Sequence, residues 1–424
     1  MGDMMKKVVL SNGLEVYYYK IDGIRSVTIA FNVGVGSVYE PTNLLGISHF
    51  IEHLSFRGTE KYSMKELKLT VESVGGILNA WTDKENTVYY AKVPSSMAYE
   101  TFDVLKEIVF YPVFKKEDLE LEREIIYHEY LSNKEEPLNN LYELMFQEGI
   151  DGPHSKPVIG FEETIKSIGL DDIKEFHEEF YNPYNVKVII VGHLPEEVFD
   201  KILEELEKIK RPGERTIKHK SIIKHGIIRR KIMKNANQVH ILYVTDGFSL
   251  QETDRYAAIV LNTILSSGMS SYFFEEIREK EGLVYDIYTS NLAHKNWGLF
   301  NIYAATSIEK VQKFHEKMLN SINNFNLTDE LFDYGIKRLI GKLELSTENT
   351  SALTTLIIEY ISNEVDPELP NDIVSKIKNI TKDKVNNVFE KLFSSKWSLF
   401  YVANENIDYF DKLGGIKFDY LEKR

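Results

Sequence analysis

The chain has 424 residues, a net charge of −14, 43% apolar residues and no cysteine. Without cysteine there are no disulfides or thiolate metal sites, so any metal must be held by His, Asp or Glu. The acidic balance argues against a nucleic-acid partner, whose binding leaves a basic footprint, and no apolar run reaches the length that spans a bilayer.

The length predicts two or three domains. Met1 to Lys7 lacks the apolar core of a signal peptide, so a cytoplasmic location is expected. Lys7–Leu10 and Leu14–Tyr19 read as a hairpin around the turn Ser11-Asn12-Gly13. Ser26–Val33, alternating and rich in β-branched residues, is a third strand. Gly34-Val-Gly36-Ser37 lacks the further glycine of a phosphate loop and reads as a turn. A helix is predicted from about Leu45 to Arg57, and another over Met64–Val74 with Ser63 as N-cap and Gly75-Gly76 as its stop. Ile77–Trp81 and Asn86–Val93 read as strands. Helices follow near 97–110, 117–132, 138–148 and 171–180, and Val186–Val191 is a buried strand. Lys208–Lys220 is charged, contains Pro212-Gly213 and lacks apolar periodicity, as a linker does.

The first helix carries Gly46-Ile-Ser-His49-Phe-Ile-Glu52-His53. Positions i, i+3 and i+4 are helical neighbours, so His49, Glu52 and His53 share one face. Two imidazoles one turn apart can reach a single Zn²⁺, and the carboxylate beside them can take a proton from water that the metal activates. H-x-x-E-H is the inverse of the H-E-x-x-H order.

The second half repeats the first. Ile168-Gly-Leu-Asp-Asp-Ile173-Lys-Glu-Phe176 matches Ile380-Thr-Lys-Asp-Lys-Val385-Asn-Asn-Val388, and Phe180–Val191 matches Leu392–Ala403 at the same offset along the chain. The expected organisation is therefore a domain over 1–211, a linker over 212–220 and a homologous domain over 221–424. At that offset His49, Glu52 and His53 correspond to Leu261, Ile264 and Leu265. The fold can thus be built with apolar residues there, and packing does not demand the polar ones.

A catalytic zinc needs three protein ligands and an open position. On the 117–132 helix, Glu122 and Glu129 are two turns apart and share a face. Their counterparts are Tyr334 and Gly341, so both carboxylates vanish from the second half together with the histidines. His128 points about 100° away from Glu129 and reads as a surface or structural residue.

Gly46–Thr59, with Glu122-Arg123-Glu124-Ile-Ile-Tyr-His-Glu129, resembles the inverzincin (M16-type) zinc metallopeptidases of the pitrilysin family, which include mitochondrial processing peptidase and its bacterial relatives. In that family a glutamate follows the motif at the spacing that separates His53 from Glu129 here. The match continues through Gly75–Tyr90 and Phe180–Asn185. The resemblance implies an α+β fold of two homologous domains, each a largely antiparallel sheet covered by helices, together forming half of a clamshell chamber. It implies one Zn²⁺ per chain held by His49, His53 and Glu129, with Glu52 as general base. Glu122 would orient a zinc histidine. Asn79 and Ala80 would lie on an edge strand to which an extended peptide substrate adds.

Arg278-Glu-Lys-Glu-Gly282-Leu283-Val-Tyr285 resembles the family segment whose Arg and Tyr contact substrate, with Tyr285 helping to stabilise the oxyanion. Tyr272 stands where many relatives have Arg.

The expected function is zinc-dependent endopeptidase action on peptides or unstructured protein segments. Because one chain carries both the zinc motif and the Arg278/Tyr285 segment, a homodimer is a more economical expectation than a heterodimer with a homologous subunit. The alternative, a non-catalytic scaffold or partner-binding subunit of the family, predicts decayed ligands. A metal hydrolase for a non-peptide substrate is a third reading.

Overall fold

The hairpin read around Gly13 opens a six-stranded sheet in the computed structural model, which describes residues 5–413, 415 and 416. Met1–Met4 and the last residues of the 221–424 expectation lie outside the described residues. The chain forms two units. Unit 1 comprises Met1–Tyr130, Lys156–His219 and Thr347–Pro367, and unit 2 comprises Leu131–Ser155, Lys220–Ser346 and Glu368–Arg424.

The strands in chain order begin with β1 (Met5–Val9), β2 (Glu15–Lys20), β3 (Ser26–Val33), β4 (Ile77–Thr82) and β5 (Thr87–Pro94). Next come β6 (Ile150–Asp151), β7 (Val186–Gly192), β8 (Ile222–Ile223), β9 (Ile228–Ile232) and β10 (Val239–Asp246), then β11 (Asp286–Ala293), β12 (Gly298–Thr306) and β13 (Ser398–Ala403). The unit 1 sheet has the order β1-β2-β7-β3-β5-β4, antiparallel except for the parallel pair β2/β7. The unit 2 sheet runs β11-β12-β10-β13-β9, antiparallel except for β13/β9, while β6 and β8 form a small separate pair. At the offset that carries Ile168 onto Ile380, strands β2, β3, β4, β5 and β7 fall on β9, β10, β11, β12 and β13. Two homologous domains of mixed but mainly antiparallel sheet are therefore present, and β1 is the extra edge strand of the first.

Central strands are buried on both faces and read as nearly continuous apolar runs. In unit 1, Val27, Ile29, Phe31 and Val33 of β3 face the main core, where Phe102 of helix α3 (Ala98–Phe110) joins them. The opposite face is covered by the helix Thr350–Ser362: Thr28 Oγ1 bonds Thr350 Oγ1 at 2.8 Å, and the helix packs on β3 and β7. In unit 2 the matching cover is the helix Pro137–Gly149, whose Leu141 and Met145 pack with Leu242, Leu299 and Phe400. It lies so close that a Cβ on Gly149 would stand 2.5 Å from the Phe400 ring. Each half of the chain thus supplies one covering helix to the unit built mainly from the other half.

Helix α1 (Ile47–Ser55) is shorter than the predicted span, and α2 (Met64–Glu72) starts at a capping box in which Ser63 and Glu66 satisfy each other's main-chain N–H groups. The fourth helix, α4 (Lys116–Glu135), is longer than predicted. The segment read as a linker has no regular structure over 209–220, yet it is tied to unit 1. Arg215 Nη2 donates to Glu15 Oε1 (2.8 Å) and Thr216 Oγ1 to the Gly34 carbonyl (2.6 Å). It is a strap on that unit rather than a free tether.

Candidate metal centre

Two helices and one edge strand meet at the site. Phe50, Ile51 and Leu54 bury one face of α1 in the unit 1 core, and Leu119, Ile126 and Tyr130 do the same for α4. The polar residues between these apolar positions are thereby turned toward each other. His49 Nε2 stands 3.8 Å and His53 Nε2 3.7 Å from Glu129 Oε2, and the imidazole rings lie 4.6 Å apart at 75°. One donor atom from each of His49, His53 and Glu129 lies within 4.8 Å of the others. Ligand atoms about 2.1 Å from a tetrahedral zinc ion stand about 3.4 Å apart. The two distances to Glu129 are a few tenths of an ångström longer, a gap that small side-chain adjustments close. Two imidazole nitrogens and a carboxylate are also the donor set of catalytic zinc sites. The residues fit the ion.

Two carboxylates support this trio. Glu122 Oε2 lies 2.9 Å from His53 Nδ1, and its other oxygen accepts from Arg57 Nε. His53 thus presents Nε2 toward Glu129 while its Nδ1–H is spoken for. Glu52 Oε2 accepts from Thr82 Oγ1 at 2.6 Å, which ties the general-base candidate to the end of β4. The Glu122 side chain is 6% exposed and that of Glu129 43%, so the site opens on the Glu129 side.

The electrostatics agree with this division. Burial pushes His49 down to about 3, with the charge of His53 adding to the effect and Glu122 opposing it, so the ring is a neutral donor at ordinary pH. Burial acts to lower His53 too, but the Glu122 hydrogen bond and the charges of Glu122, Glu52 and Glu129 hold it above the usual imidazole range. The same carboxylates that favour a proton there favour a divalent cation, whose binding expels the proton. Burial acts to raise Glu122, and its bonds to His53 and Arg57 overcome this and keep it ionised. Burial raises Glu52, with Glu129 adding and Thr82 and His53 opposing, which suits a group that must accept and release a proton.

Asn79 and Ala80 lie on β4, which among the described residues pairs only with β5 and is the edge of the unit 1 sheet. Asn79 Oδ1 accepts from the Ala80 N–H at 2.9 Å. Arg278 and Tyr285 belong to unit 2. Arg278 stacks on the Phe274 ring at 4.5 Å, and Tyr285 is 56% exposed with its N–H bonded to the Ala305 carbonyl. Tyr272 is engaged in unit 2's own packing: its hydroxyl donates to the Ser321 carbonyl (2.8 Å) and its ring meets Phe325 edge-on. In the same unit Leu261, Ile264 and Leu265 are fully buried, and Gly335 packs against Ile264. The counterparts of His49, Glu52 and His53 are apolar core.

Sequence reasoning alone does not find Arg57 and Thr82. Arg57 follows His53 by four residues, a cation one turn beyond a candidate ligand, but its partner Glu122 is far along the chain.

Residues 16–157 match the model of "Insulinase (Peptidase family M16)" and residues 167–339 that of "Peptidase M16 inactive domain". The chain is 27% identical over 408 residues to a Bacillus subtilis protein named uncharacterized zinc protease YmxG, covering 94% of this chain and 98% of that protein. It is 28% identical to an uncharacterized zinc protease of Rickettsia felis, over 91% of this chain and 94% of that one. Among solved structures, a protease from Helicobacter pylori shares the fold with a TM-score of 0.87 at 21% identity, over 95% of this chain and 99% of that one. The peptidase M16 inactive domain from Pseudomonas fluorescens does so with a TM-score of 0.83 at 18% identity, over 95% and 98%. With the His49, His53 and Glu129 trio in the half that matches the first model, and buried Leu261 and Leu265 at the counterparts of its histidines in the half that matches the second, this chain belongs to peptidase family M16, the pitrilysin-type inverzincin zinc metallopeptidases.

Proposed function

We propose that the chain is an endopeptidase that holds one zinc ion per chain on His49, His53 and Glu129 and cuts peptides or unstructured protein segments. The observation that carries this reading is the convergence of three donor atoms from α1 and α4, with Glu52 beside them and Glu122 on His53. Zinc, when bound, supplies the Lewis acidity that polarises water and the scissile carbonyl. Glu52 accepts the proton of the attacking water and passes it to the departing amine nitrogen, while Thr82 keeps its carboxylate in place. Glu122, fixed by Arg57, holds the His53 ring by Nδ1.

The free edge of β4 at Asn79 and Ala80 suits an extended peptide, which would bind by main-chain hydrogen bonds and with loose side-chain preference. Arg278 and Tyr285 are assigned to substrate contact on the resemblance of their segment alone, and Tyr285→Phe tests the oxyanion role. A homodimer working in the cytoplasm completes the proposal; no helix among the described residues is long and apolar enough to cross a membrane. Light scattering of the purified chain tests the dimer.

Metal analysis joined to cleavage of a quenched peptide tests the activity. The reading requires one zinc per chain, chelator-sensitive cleavage, and loss of cleavage in Glu52→Gln with zinc retained. Zinc binding without any chelator-sensitive cleavage would leave a scaffold subunit instead.

A further inference from the structure

Helix α1 begins at Gly46, whose φ of +97° is left-handed and which offers no capping side chain. A Cβ at this position would stand 2.6 Å from the Ile159 carbonyl, so a capping Ser, Thr, Asp or Asn has no room there. The first N–H groups of a buried helix still need partners. They find them in Glu40, upstream in the chain: Oε2 accepts from Gly46 N at 2.7 Å and Oε1 from Ser48 N at 2.9 Å. Glu40 is 1% exposed. Burial raises its carboxyl to about 7, against the pull of these two N–H groups. Its own segment is held by Lys156, whose Nζ donates to the Val38 and Glu40 carbonyls at 2.9 and 2.7 Å.

Unit 2 supplies a control. The counterpart of Glu40 in the repeat is Glu252, again a glutamate. There the helix begins earlier in register, at Arg255, and the Glu252 side chain is 44% exposed. Its carboxylate bonds the N–H of Ser249 rather than the helix. The buried two-oxygen clamp occurs where the helix carries metal ligands, and the apolar helix does without it.

Ser48 directly precedes His49, so the clamp fixes the first turn of α1 in both rotation and axial position. Those two quantities decide whether His49 and His53 meet Glu129 on α4. An ionised carboxyl at a helix N-terminus is also favoured by the helix dipole. We infer that Glu40 is a positioning residue of the zinc centre, holding α1 in the register at which both histidines reach one ion.

The inference rests on the zinc reading above, and its test separates the two. Zinc affinity is measured by chelator competition on the full chain for wild type, Glu40→Gln, Glu40→Asp, Glu252→Gln and His49→Ala, alongside the visible spectrum of the cobalt-substituted forms. Tight binding by wild type and its loss in His49→Ala establish the centre itself; without them the zinc reading fails, whatever Glu40 does. Given them, Glu40→Gln is expected to bind zinc about 10–100-fold more weakly, with an altered cobalt spectrum, a lowered kcat and an unchanged KM. Glu40→Asp, which keeps the carboxyl but reaches less far, is expected between the two, and Glu252→Gln at the wild-type value. Wild-type affinity and cobalt spectrum in Glu40→Gln would overturn the inference even if its melting temperature falls. If Glu40→Gln does not fold, wild-type affinity in Glu40→Asp overturns it equally.

Discussion

His53 Nδ1 and Glu122 Oε2 stand 2.9 Å apart, joining helix α1 to helix α4 across a long stretch of intervening chain. The contact leaves Nε2 of His53 as the nitrogen that would face a metal. Glu122→Gln keeps the shape and removes the charge, and it is expected to weaken zinc binding about 10–100-fold while leaving the secondary structure intact. Chelator competition followed by circular dichroism checks both parts.

Glu52 lies within electrostatic reach of His53 and Glu129 but outside the group of three donors. Glu52→Gln should retain zinc and lose about 10²–10⁴-fold in kcat, the range of positioned general acid–base catalysis. Thr82→Val, which removes the hydroxyl on Glu52, should lower kcat less and leave zinc content unchanged. Equal zinc loss in Glu52→Gln would make Glu52 a ligand instead. Steady-state kinetics with metal analysis separates the cases.

Metal removal should destabilise unit 1. Free zinc at one hundred times its dissociation constant stabilises a protein by about 2.7 kcal/mol, or about 5–10 °C in melting temperature for a unit of this size. Differential scanning calorimetry of chelated and zinc-loaded protein should show that shift, and His49→Ala should abolish it.

Glu15 gives a pH signature away from the metal. Burial acts to raise its carboxyl, but hydrogen bonds from Arg215 and Tyr17 and the charge of Lys187 overcome this and hold it at about 2. A carboxyl lowered on folding stabilises the protein above its unfolded value of about 4.5, and that contribution is lost as the pH falls toward about 2. Glu15→Gln should be less stable than wild type at neutral pH, by on the order of 1 kcal/mol after allowance for solvent screening. The difference should shrink through that acid window. A constant gap in denaturant titrations from about pH 6 to about pH 3 would remove the role given to Arg215 and Tyr17.

Much of this architecture is legible in the residues. β3, β7 and α4 stand out because their apolar positions recur at strand or helix spacing, and Leu261, Ile264 and Leu265 announce an apolar counterpart to the metal motif. Full burial of those three residues confirms that reading. The covering helices are not legible as such: periodicity says that Pro137–Gly149 has an apolar face but not which sheet receives it. Lys208–Lys220 reads as a linker because it lacks periodicity, and hydrogen bonds from Arg215 and Thr216 leave no periodic trace. Thr82 and Arg57 escape notice for a similar reason, since their partners are set by tertiary contact. Glu40 leaves one local signal, an acidic residue shortly before a helix that starts at glycine with no capping side chain.

Glu52 and the trio His49, His53 and Glu129 are proposed to form one peptide-cutting site. Mass-spectrometric profiling of a peptide library checks this, with wild type, chelated wild type and Glu52→Gln incubated in parallel. Internal cleavages are expected from wild type, with their loss on chelation and return with zinc, and none from zinc-loaded Glu52→Gln. Cleavage that persists undiminished in Glu52→Gln or in chelator would rule out a zinc-dependent site that uses Glu52 as its base.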